Sequence, residues 1–109
     1  MTTALPYAES APTREEVDAW VEPTLLEFGT DWCGHCQAAQ APIEQALAAH
    51  PGVRRVKVED GRGRPLGRSF GVKLWPTLVF LKGGLEVARV VRPREVGPVE
   101  EALARLAAK

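Results

Sequence analysis

The sequence predicts an α/β protein, a mixed central β-sheet of four or five strands with helices on both faces. Three observations predict it. Apolar strand-like runs alternate with segments of helical periodicity, an order that joins strands in parallel. Lys82-Gly83-Gly84 then links two strand patterns directly and adds an antiparallel pair. The chain has 109 residues, 45% of them hydrophobic and 26% charged, which is enough for one core and too little for two.

Residues 1–12 carry two prolines among small and polar residues and read as a loosely ordered lead-in to a single domain over 13–109. Thr13 with Glu16 three positions on has the spacing of a capping box, so a short helix is expected over Arg14 to Val21. Val17, Trp20 and Val21 form its apolar face. Pro23 ends it, and Thr24 to Phe28 reads as a strand. Within that strand Glu27 interrupts an apolar run. On an edge strand it would face water. In the interior, between Leu26 and Phe28, desolvation would suit it to proton transfer, and its apolar neighbours favour this second reading.

A helix is expected from the cysteines towards His50, with Pro42 kinking or splitting it and Pro51-Gly52 stopping it. Val53 to Glu59 alternates apolar and charged residues and reads as a second central strand. A polar stretch with Arg62, Arg64 and Arg68 follows, holding one helical turn over Pro65 to Phe70. Leu74 to Leu81 and Leu85 to Val91 are the hairpin strands. A last helix is expected to open at Gly97-Pro98, with proline at its first position and Val99, Leu103 and Leu106 on one face.

Thr30-Asp31-Trp32-Cys33-Gly34-His35-Cys36 holds both cysteines of the chain. A CxxC between a strand and a helix start is the redox form of that motif. Helix-start amides and the positive end of the helix dipole stabilise a thiolate, and the thiolate is the nucleophile. This arrangement points to thiol–disulfide exchange. Lys plus Arg equals Asp plus Glu at 14 each, so charge offers no argument for a nucleic-acid or membrane partner. No run approaches membrane-spanning length, and Met1 to Ser10 lacks a basic start followed by an apolar stretch, so a cytoplasmic location is expected. In such a compartment a lone vicinal pair points to catalysis rather than to a structural staple.

Trp32-Cys33-Gly34-His35-Cys36, Trp75-Pro76-Thr77 placed 40 positions after Cys36, Phe80 with Lys82-Gly83-Gly84, and Glu27 together make the chain resemble the thioredoxin family over nearly its whole length. The resemblance implies the thioredoxin fold and a protein-disulfide oxidoreductase without bound cofactor or metal. Cys33 would attack a substrate disulfide and Cys36 would resolve the mixed disulfide. Glu27 would exchange a proton with Cys36, with Lys57 near it on the next strand. Pro76 would be cis against the cysteines. Trp32, Gly34, Trp75, Pro76 and Arg92 would border the groove for a protein disulfide substrate. A reductase or other thiol donor would recharge the pair, and a monomer is the expected state.

Departures from the family pattern concern tuning and partners. His35 stands where thioredoxins commonly have proline and matches the dipeptide of protein disulfide isomerases. An imidazole beside the Cys33 thiolate stabilises the reduced form and makes the disulfide more oxidising. Glu27 replaces the usual Asp, Trp75 a more frequent Ile, and Arg92 a frequent Gly. Two rival functions compete with exchange. One is a redox-silent docking module using the same groove, which would not need both cysteines. The other is a metal site built on the CxxC, for which the chain has no second pair.

Overall fold

A computed structural model describes residues 5–108. The elements run α1 (Arg14–Asp18), β1 (Thr24–Gly29), α2 (Gly34–Ala48), β2 (Arg54–Glu59), α3 (Pro65–Ser69), β3 (Thr77–Lys82), β4 (Leu85–Val91) and α4 (Val96–Ala107). The four strands form one sheet in the order β2-β1-β3-β4. Strands β1 and β2 pair in parallel, and the other two pairs are antiparallel. This is the mixed sheet that the alternating pattern and the two-glycine turn predict.

Alternation along β1 sends its side chains to two cores. Leu25 joins Leu78 and Phe80 beneath α2 and α4, against Ile43, Ala46, Val99 and Leu103. Leu26 and Phe28 join Val79 and Leu81 on the other face, against Val17 of α1 and Leu66 of α3. Every residue of β1 is buried, because the strand is central and covered on both faces. Glu27 is therefore an interior residue, fully buried, and the edge-strand alternative falls away.

Several expectations need correction. The lead-in is not loose where it is described. Ala8 bridges Val58 in parallel, with Ala8 N–H donating to Lys57 O at 3.0 Å and Glu59 N–H to Ala8 O at 2.9 Å. Tyr7 beside it is only 4% exposed. Residues 1–4 of the lead-in lie outside the described residues. The same bridge corrects the reading of β2, which is an edge strand whose outer side Ala8 partly covers. Its periodic Arg and Lys belong to a strand with only one neighbour in the sheet.

Helix α1 has the expected capping box from Thr13 and Glu16 but ends at Asp18, leaving Val21 80% exposed. Trp20 lies half-buried beneath the Arg54 guanidinium, 4.6 Å from its ring centre. Helix α2 runs through Pro42 without splitting. Proline there removes one amide donor, and burial of Ala39, Ile43 and Ala46 in the core holds the remaining turns. Strand β3 starts at Thr77, so Leu74 to Pro76 is connecting chain rather than strand. Pro98 is the third residue of α4, not the first, since Glu95 is the cap. At the hairpin tip Gly83 and Gly84 have φ of 57° and 79°, as a two-residue turn with both central residues left-handed requires. A Cβ on Gly84 would also come within 2.0 Å of the Asp18 carbonyl oxygen, so the tip packs closely on the end of α1.

Candidate active site

Strand β1 ends at Gly29, and Thr30 to Trp32 carry the chain into α2 with Cys33 as its N-cap. The Cys33 sulfur takes the role a Ser or Asp oxygen plays at a helix start: the Cys36 amide donates to it at 3.3 Å. Amide and helix dipole thus face the Cys33 sulfur, an arrangement that favours negative charge on a sulfur so placed. Both cysteines are free thiols. Cys33 is 9% exposed and Cys36 only 1%, so the first is the sulfur nearer to solvent.

Burial pushes the Cys36 thiol up to about 12, helped by its hydrogen bond with Cys33 and opposed by the Thr30 backbone and Tyr7. Relative to an ordinary thiol near 9.0, Cys36 stays protonated in the folded chain where an unfolded one would ionise. The sign follows from linkage: this contribution to stability is complete below about pH 9 and is lost as pH rises towards 12. The urea midpoint of the reduced protein is expected to fall across that window, and Cys36→Ala to flatten the fall. An equal fall in Cys36→Ala would assign the alkaline loss to other groups.

Trp75 packs against the cluster of Tyr7, Cys33 and Cys36. Its peptide bond to Pro76 is cis. The Trp75 indole N–H donates to Asp60 Oδ2 at 2.9 Å, which fixes the ring. Trp32 meets it edge-on, with centroids 5.8 Å apart, and is 74% exposed. The two tryptophans form an aromatic wall beside the cysteines. Arg92 lies across from them with a positive φ of 50°. Its amide donates to Pro76 O at 2.9 Å and its Nε to Trp75 O at 2.8 Å, so the side chain is tied to the cis-proline loop. His35 is exposed on the first turn of α2 and shares a shallow hollow with Gly34, Arg92 and Arg94. Nothing lies within 4 Å of where a Gly34 Cβ would stand, so the open space there faces the hollow.

Glu27 is held on both oxygens. Arg55 donates to Oε1 through Nε at 3.1 Å and Nη2 at 2.8 Å. Tyr7 Oη donates to Oε2 at 2.5 Å, and Gln40 Nε2 donates to the same oxygen at 2.9 Å. Gln40 Nε2 also donates to Cys36 O at 2.8 Å, tying the network to α2. The Gln40 oxygen accepts from Arg55 at 2.7 Å and from Lys57 Nζ at 2.9 Å. Lys57 is therefore one residue removed from Glu27, and Arg55 is its direct partner. Burial lowers the Lys57 ammonium below the ordinary lysine range, with Glu27 opposing that shift.

Gly29 leaves the space this arrangement needs. A Cβ there would stand 2.6 Å from Cys36 Sγ and 2.9 Å from Tyr7 Oη. Tyr7, Gln40 and Arg55 escaped the sequence reading. Tyr7 is the chain's only tyrosine, in an otherwise small and polar lead-in, and that was its one signal. Among the described residues no group of three or more His, Cys, Asp or Glu could hold a metal ion. No helix among them is long and apolar enough to cross a membrane.

Comparison with known proteins agrees with this geometry. The thioredoxin family model matches residues 7–105. Thioredoxin 2 of Pseudomonas aeruginosa PAO1, solved in its reduced form, is 57% identical, with a TM-score of 0.86 over 95% of this chain and 96% of that one. Thioredoxin 1 of Nostoc sp. is 29% identical over 92 residues, covering 84% of this chain and 85% of its own length. The protein disulfide-isomerase erp38 of Neurospora crassa is 43% identical over 70 residues, 60% of this chain. The chain spans only 19% of that isomerase's length.

Proposed function

The chain belongs to the thioredoxin family, and from that premise we propose that it is a thiol–disulfide oxidoreductase acting on protein disulfides. The observation that carries the reading is the pairing of a helix-capping, amide-facing Cys33 sulfur with a sealed Cys36 thiol three residues on. Cys33 thiolate attacks one sulfur of the substrate disulfide, forming a mixed disulfide and expelling the other sulfur as thiolate. Cys36, once deprotonated, attacks Cys33, closes the Cys33–Cys36 disulfide and releases the second substrate thiol. Two electrons pass from the pair to the substrate. The aromatic wall of Trp32 and Trp75 and the loop of Pro76 and Arg92 border the place where the partner chain lies, with Gly34 leaving room for its approach.

We further assign His35 a tuning role that makes the pair more oxidising than a typical thioredoxin. Imidazole on the exposed first turn, beside Arg92 and Arg94, favours negative charge on Cys33 and so favours the dithiol. The scale for such tuning runs from about −270 mV in thioredoxin to about −180 mV in the isomerase, roughly 4 kcal/mol. A reductase or other thiol donor restores the dithiol, the chain works as a monomer, and a cytoplasmic setting suits a lone vicinal pair.

The reduction potential measured against glutathione mixtures tests this reading. A value of about −180 to −200 mV is expected, with His35→Pro moving it towards about −270 mV. Wild type near −270 mV on that scale, with no shift in His35→Pro, overturns the tuning role. No exchange with glutathione at all overturns the catalytic reading.

A further inference from the structure

The buried acid and the buried thiol do not touch. Arg55, Tyr7 and Gln40 occupy the oxygens of Glu27, and among the described hydrogen bonds none joins Glu27 to Cys36. The Tyr7 hydroxyl stands between them. It donates to Glu27 Oε2 at 2.5 Å, and it shares with Cys36 Sγ the space above Gly29, where one Cβ would meet both atoms. Tyr7 is held there by its own backbone, whose N–H donates to Asp31 Oδ1 at 2.9 Å, and by the bridge through Ala8. The Lys57 ammonium lies 4.5 Å over its ring.

We propose that Tyr7 is the proton relay of the resolving step, carrying the Cys36 proton to Glu27 through its hydroxyl. The inference rests on the exchange function proposed above. In the relay the S–H bond of Cys36 breaks and its proton joins the Tyr7 oxygen. The original Tyr7 O–H bond breaks in the same event, and that proton joins Glu27 Oε2. The Cys36 thiolate then attacks Cys33 of the mixed disulfide, and the electron pair of the broken S–S bond leaves on the substrate sulfur. The proton rests on Glu27 while the pair is oxidised. It returns by the same two transfers in reverse when Cys36 is released as a thiol.

A relay suits this site better than stepwise ionisation. Burial raises both the Cys36 thiol and the Tyr7 phenol above their ordinary values, so neither anion forms easily alone. A concerted handover avoids a buried phenolate and places the charge change on the carboxylate that Arg55 already faces. The other charged groups around the path are Lys57 from β2, whose Nζ binds Gln40, and Asp31 from the loop after β1. Tyr7 also explains why the lead-in is docked at all, since the docking delivers a hydroxyl that β1, β2 and α2 do not supply.

The test follows the two half-reactions separately in the reduced full chain, by stopped flow with a model disulfide at pH 6 to 9. Tyr7→Phe keeps the ring and removes the hydroxyl. Expected is a resolving step slowed roughly 10- to 100-fold near neutral pH, the scale of general acid–base assistance, with the deficit shrinking as pH rises. The Cys33 attack in the same traces stays within about twofold, because Tyr7 serves the second step only. Glu27→Gln slows resolution in the wild-type background and adds less than about twofold in the Tyr7→Phe background, since the two act in series. Resolution unchanged in Tyr7→Phe, or a Glu27→Gln effect that persists in full beside it, overturns the relay. Should Tyr7→Phe not fold, a proton inventory of wild-type resolution in mixed light and heavy water decides. A curved plot with two protons in flight supports the relay, and a straight one overturns it. Failure of Cys33 to form any mixed disulfide in wild type overturns the exchange function itself.

Discussion

Cys33→Ser is expected to abolish protein-disulfide exchange, whereas Cys36→Ser lets the first half-reaction run and stops the second. The asymmetry follows from where the sulfurs sit. Cys33 caps α2 with an amide facing it and is the sulfur nearer to solvent. Replacing it with a hydroxyl removes the proposed nucleophile, and losses on the order of 10⁴-fold or more accompany such a removal. Cys36 is sealed beneath it and protonated up to about 12, so it cannot substitute as the attacking group at neutral pH. In Cys36→Ser the mixed disulfide with substrate accumulates, since only outside thiols can resolve it. Non-reducing gels with mass analysis read both outcomes. A Cys36→Ser protein that turns over normally and holds no covalent partner would contradict the two-step scheme.

Arg55→Met is expected to cost about 3–5 kcal/mol of stability, the scale seen when one partner of a buried ion pair is removed. Glu27 is fully buried in the central strand, and the Arg55 guanidinium is the cation its Oε1 receives, at 2.8 Å. Lys57 cannot take its place without moving, because its ammonium already donates to Gln40 and to Leu5 O. The urea midpoint of the reduced protein measures the loss. Replacing both partners, Glu27→Leu with Arg55→Met, recovers part of it, because the apolar pair removes the unpaired carboxylate while Tyr7 and Gln40 lose their Glu27 acceptor and the buried Lys57 its facing charge. The double variant should nonetheless resolve mixed disulfides slowly, which separates the stabilising role of the pair from the proton-accepting role proposed for Glu27. A cost below about 1 kcal/mol for Arg55→Met would show that the carboxylate does not depend on that cation.

Much of the site was readable in the chain. Cys33-Gly34-His35-Cys36 at a strand-to-helix junction is local information, since two residues of spacing and a helix start place the sulfurs together whatever surrounds them. The burial of Glu27 was readable from Leu26 and Phe28 beside it. The hairpin followed from two glycines, which take both left-handed positions of a tight turn without a steric cost. Element ends were less legible. Trp20 and Val21 continue a helical pattern that α1 does not use, and Pro42 looks like a break that the packed face of α2 overrides.

The sequence by itself determined the α/β class, the family resemblance, the two sulfurs and the buried acid, because each rests on neighbours in the chain or on a periodicity of 2 or 3.6 residues. Only the tertiary structure decided what surrounds that acid. Tyr7 is 20 residues from Glu27 and Arg55 is 28, and neither lies in a pattern that marks it. Their meeting depends on three separate events: β2 pairing with β1 in register, the lead-in bridging β2 through Ala8, and Gly29 leaving space above Cys36. A buried carboxylate must find its donors, but which donors reach it is settled by how strands and segments pack, and no single stretch of chain encodes that.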